Sequence, residues 1–102
     1  MDFKDYRRHL ASSTGMIDRA KEWEVLREVG NEEWAIKLRA LLLGHYKAGL
    51  FPMRPICAGY LLQKADQAHA GTLVLDEFCQ AEYDRLKRNF EAVKMMVVED
   101  VT

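Results

Sequence analysis

The stretch Cys79-Gln80-Ala81-Glu82-Tyr83-Asp84-Arg85-Leu86-Lys87-Arg88-Asn89-Phe90, continued through Val93 and Val97, decides the fold. Its apolar members Cys79, Tyr83, Leu86, Phe90, Val93 and Val97 recur at alternating steps of four and three, which draws one stripe down a single helix. A stripe of that kind has to pack against something. With Tyr83, Phe90 and Val97 as a positions, Glu82 at g and Lys87 at e would pair in a parallel dimeric coiled coil. Two aromatic a positions are too wide for a two-stranded coil, and the repeat is under three heptads long. The core face of a helical bundle is the preferred reading. The opposite face carries Glu77, Asp84, Arg88 and Glu91, with Asp84 and Arg88 spaced for an i,i+4 pair worth about 0.2–0.5 kcal/mol.

Working outward, the spacing predicts four more helices and no convincing strand. Asp2 caps a helix over 2–12 with Phe3, Tyr6 and Leu10 on one face, and the Ser12-Ser13-Thr14-Gly15 cluster stops it. A second runs over 16–29, with Met16, Ala20, Trp23 and Leu26 on one side and Gly30 as a left-handed stop. Asn31 is a suitable N-cap for a third, over 32–48, with Glu32 and Glu33 in its first turn and Lys47 near its end, as the helix dipole favours. This third helix is apolar on two sides: Trp34, Leu38, Leu41 and His45 fall in one sector, and Ile36, Ala40 and Leu43 in the opposite one. It is the expected central helix, and it needs two covering layers. The second layer comes either from its own chain or from a partner subunit.

Prolines at 52 and 55 break the pattern into one long loop, 49–55. Pro55 suits the first turn of a fourth helix, 55–70, whose apolar side is Cys57, Ala58, Leu61, Leu62, Ala65 and Ala68. Gly71 ends it, Thr72 or Asp76 caps the last helix over 76–98, and 99–102 is expected to fray. The expectation is an all-α, compact bundle of about five helices in one domain, 1–102, since a chain of 102 residues supports a single core.

Hydrophobic residues make up 49% of the chain and charged ones 30%, with a formal net charge of −1, which suits a globular protein rather than a disordered tail or a strongly basic nucleic-acid binder. The apolar, uncharged run 40–46 is far short of a bilayer span. The opening Met-Asp-Phe-Lys-Asp-Tyr-Arg-Arg is too charged for a secretory apolar segment, and two cysteines make no disulfide scaffold. The expected location is a reducing cytoplasm, with no membrane contact.

Chemistry is scarce. His9, His45, His69, Cys57 and Cys79 lack the local spacing of a zinc site. Both cysteines sit on expected buried faces, where a thiol is inert. The glycines 44, 49 and 59 stand singly, without a phosphate-binding loop. No catalytic, cofactor-binding or metal residue is assigned, no cofactor is expected, and the chain does not read as an enzyme.

A helix-turn-helix across 12–15 would use a second helix carrying Asp18, Glu22, Glu24 and Glu28 against Arg19, Lys21 and Arg27, and acids repel phosphates. The alternative function, a small helical nucleic-acid-binding regulator, rests on the patches Lys4, Arg7, Arg8 and Arg85, Arg88; Asp2 and Asp5 dilute the first, and both read foremost as solvated helix faces. Protein binding fits better. The loop sets Phe51, Met53 and Arg54 beside two stiff prolines, and such residues are enriched in interface cores. With Met95 and Met96 they form the expected partner-binding set. The two-faced third helix, the loop apex and the apolar residues Met95, Met96 and Val98 exceed what so small a core covers, so a homodimer is expected. The expected function is an adaptor, regulatory subunit or inhibitor that binds a larger protein sterically. Small motif-free proteins that phages and mobile elements direct against host systems have this general character.

Overall fold

The structure is a computed structural model that describes the backbone of residues 1–47 and 55–101 and the side chains of 1–44 and 55–89. Its helices are α1 (Phe3–Ser12), α2 (Arg19–Val29), α3 (Glu33–Lys47), α4 (Ala58–Ala70) and α5 (Glu77–Val101). Two short strands, β1 (Met16–Ile17) and β2 (Ile56–Cys57), pair antiparallel with Met16 opposite Cys57 and Ile17 opposite Ile56. The all-α bundle is therefore correct, and the small ribbon is an addition to it.

The caps explain most boundaries. Asp2 Oδ1 accepts from Asp5 N at 2.9 Å and starts α1. Asp76 Oδ1 accepts from Cys79 N at 2.8 Å and starts α5. Gly71, in the left-handed region at φ 79° and ψ 14°, ends α4. Gly30 ends α2 as expected but at φ 99° and ψ −152°, a glycine region other than the left-handed helical one.

Four expectations need correction. The second helix starts at Arg19, not at Met16, because Asp18 Oδ1 accepts from Ala20 N at 2.8 Å and from Lys21 N at 3.3 Å, which leaves 16–17 free to pair with β2. The fourth helix starts at Ala58, since Ile56 and Cys57 are extended; Cys57 is exposed rather than part of the buried side. Asn31 does not cap α3: its Oδ1 accepts from Arg39 Nη2 at 3.0 Å, while Glu32 O accepts from the amide of Ile36 at 3.0 Å. The last helix runs on to Val101 where fraying was expected, and Asp84 accepts from Gln80 Nε2 at 3.1 Å instead of pairing with Arg88.

Helix α3 is central, and both of its faces are covered within the chain. Trp34, Leu38 and Leu41 join Tyr6, Leu10, Leu26, Leu61 and Ala65 in the main core, built from α1, α2 and α4. Ile36 and Ala40 pack with Tyr83 of α5, flanked by Leu75 and Leu86. The first turns of the C-terminal stripe thus face the core, as read from their spacing; the side chains of Phe90, Val93 and Val97, and that of His45, lie outside those described. Burying each of these large apolar side chains contributes about 1.5–3 kcal/mol.

Helices α3 and α5 approach tightly at Gly44. A Cβ there would lie 2.8 Å from Cys79 Cα and 3.0 Å from Cys79 N, and would also strike Cys79 Sγ. Glycine is used here for lack of bulk. Gly44→Ala should destabilise the fold by about 1–3 kcal/mol in urea unfolding, although alanine is the better helix former. Adding Cys79→Ala should not restore stability, because the backbone of residue 79 still obstructs the methyl group.

Candidate functional site

Gly15 adopts φ 74°, a turn that lets its carbonyl accept Ala58 N at 2.9 Å. That bond and the β1–β2 pairing bring residues 16–19 against 55–60. Between them lies a cleft of about 290 Å³ lined by Met16, Arg19, Pro55, Ile56, Cys57 and Tyr60. Met16 is 62% exposed and Tyr60 37%, so a large apolar surface meets solvent at a preformed corner. Arg19 is half-buried, and its Nε has neither solvent nor a hydrogen-bond partner. Lys64 Nζ stands 5.3 Å from the centre of the Tyr60 ring.

A wider open cleft of about 820 Å³ lies across the molecule, lined by Phe3, Trp34, Val29 and His69 with Asp2, Lys4 and Glu32 at its edge. Its wall is aromatic: Phe3 stacks on His69 at 3.9 Å between ring centres and meets Trp34 edge-on at 5.1 Å. These contacts hold α1, α3 and α4 together.

A third feature is polar and buried. Glu22, 3% exposed, accepts from the Tyr6 hydroxyl at 3.1 Å and bonds His9 Nε2 at 2.7 Å. Burial, and then the Glu22 charge, push the Tyr6 phenol far above its ordinary value. A histidine oriented by a carboxylate can move protons, but the nearby Ser12 and Ser13 hydroxyls both donate to His9 O at 2.9 Å, away from its ring. The cluster joins α1 to α2. Among the described residues no three His, Cys, Asp or Glu side chains gather where they could hold a metal ion, and no helix is long and apolar enough to cross a membrane.

The basic patches are internally compensated. Arg7 Nε pairs with Asp66 of α4 at 3.0 Å, Arg8 with Asp5 at 3.6 Å, and Arg85 with Glu82. Lys4 and Arg88 are exposed. Phe51, Met53 and Arg54 lie outside the described residues, and Met95 and Met96 belong to α5 with their side chains outside those described. The described residues place Met16, Arg19 and Tyr60 around one cleft, a grouping that periodicity misses by reading 16–17 as helix; Asp18, a good N-cap two residues later, is the available signal.

Comparison with known protein families, curated proteins and solved structures finds no match to this chain.

The Tyr6 shift has a definite pH consequence. An unfolded tyrosine loses its proton near pH 10 while the folded Tyr6 retains it, so the native state binds more protons and stability falls as pH rises above about 10. Tyr6→Phe should cost about 1–3 kcal/mol at neutral pH, since buried Glu22 loses a donor. It should also flatten the loss of stability above about pH 10, measured by urea unfolding at stepped pH.

Proposed function

We propose that this chain is a protein-interaction module, an adaptor, regulatory subunit or inhibitor that acts by sterically occupying part of a larger protein or complex. The observation that carries the reading is the exposed, apolar Met16–Tyr60 corner on a hydrogen-bonded ribbon. Methionine, tyrosine, proline and arginine converge there, a composition that supplies interface anchors. Pro55, which lines the cleft, directly follows Phe51, Met53 and Arg54 in sequence, and these residues are kept as a second set of candidate partner contacts. Its location is the cytoplasm, and a host system opposed by a phage or mobile-element protein is one setting that suits its size.

The pairing of Arg7, Arg8 and Arg85 with carboxylates in their own chain weighs against phosphate binding, which needs free cations to displace counterions. Homodimerisation retains two of its three grounds, the loop apex and Met95, Met96 and Val98; both faces of α3 are filled by its own chain.

The test is affinity capture from a lysate with and without nuclease, using the whole chain. Met16→Ser with Tyr60→Ser, and separately Phe51→Ala with Arg54→Ala, should each abolish capture of a nuclease-resistant protein while circular dichroism and melting stay nearly unchanged. Capture that depends on nucleic acid, or a binding region whose loss unfolds the chain, would sink the reading.

A further inference from the structure

We propose that the cleft between the β1–β2 ribbon and the start of α4 receives a carboxylate side chain of a partner protein, set among apolar residues, with the Arg19 guanidinium as its counter-ion. The proposal rests on the interaction-module reading and names the chemistry of the partner.

Five observations point to an acidic, apolar segment. The lining of the cleft contains one cation, Arg19, and no acid, while Lys64 adds a second positive charge beside Tyr60. Arg19 Nε is removed from water without an acceptor, and arginine cannot shed its proton to escape that cost. The neighbouring acids are committed elsewhere: Asp18 caps α2, and Glu22 bonds Tyr6 and His9. Arg19 is also the first residue of α2, where the helix dipole disfavours a cation. Beside it, α4 begins at Ala58, whose amide donates to Gly15 O, and its N-cap Cys57 offers no side-chain hydrogen bond to the amides that follow. An arriving carboxylate would supply the counter-charge that the cleft lacks, accepting N–H bonds from the Arg19 guanidinium. Met16, Pro55 and Tyr60 would cover the apolar residues on either side of it.

The experiment measures fluorescence anisotropy of labelled, amidated peptides against the whole chain. One peptide alternates Leu and Phe with Asp and Glu; its counterpart carries Asn and Gln instead. The acidic peptide should bind at least about tenfold tighter than the amide one, as a charge-assisted bond predicts. Arg19→Gln should remove that preference, Arg19→Lys should keep part of it, and Arg8→Gln, outside the cleft, should leave it intact. Binding should also slow alkylation of exposed Cys57 in the unaltered protein, which reports on the cleft even if an Arg19 variant fails to fold. Equal affinity for both peptides, no binding of the acidic one by about 1 mM, or its displacement by inorganic phosphate or a short oligothymidylate would overturn the proposal. Lysate capture that survives Arg19→Gln but not Met16→Ser with Tyr60→Ser rejects the carboxylate and keeps the interaction module. Capture lost from neither rejects both.

Discussion

Everything in this bundle is referred to α3, a helix that has no solvent side of its own to spare. Trp34, Leu38 and Leu41 give it to the main core and Ile36 and Ala40 give it to α5. A helix apolar on two sides cannot be stable alone, so its formation and the docking of its neighbours are one event. The absence of a side chain at Gly44 sets how closely α5 can approach, and that approach places Cys79 and Tyr83 in the seam. Tyr83 then spends its hydroxyl on Glu33 Oε1 at 3.0 Å, tying the N-terminal turn of α3 to α5.

Around that axis the polar groups work as fasteners between elements. Glu22 links α1 with α2 through Tyr6 and His9, Arg7 and Asp66 link α1 with α4, and Arg39 closes the α2–α3 turn through Gly30 O at 3.1 Å and Asn31. The first is the most consequential because it is dry: a carboxylate in that position demands both donors. The exposed pair Arg7–Asp66 contributes far less, since water screens it.

The sequence was most legible where one helix could be judged by itself. Caps at Asp2 and Asp76, stops at Gly30 and Gly71, the two faces of α3 and the stripe through Cys79 and Tyr83 all follow from local spacing. The ribbon was not legible, because two residues are too few to show a period and their partners lie far along the chain. Glu22 looked like an acid on a solvated helix face; only the tertiary position of Tyr6 and His9 reveals it as buried. Gly44 stood among scattered glycines, and its role depends on the backbone of residue 79. Of the cleft's lining, Arg19 was read as one of several charges on α2, since an unsatisfied buried donor is a property of packing and not of composition.

The ribbon also has a kinetic meaning. Joining Met16 to Cys57 closes a loop of about forty residues, an entropic cost of roughly 3 kcal/mol before any contact inside the loop is counted. The Tyr6–Glu22–His9 cluster spans a much shorter stretch of chain. The α1–α2 pair can therefore assemble first, as a local unit, and the corner that carries Met16 and Tyr60 is among the last features to be built. It is correspondingly among the first to come apart, so this corner can loosen while the core around α3 stays folded.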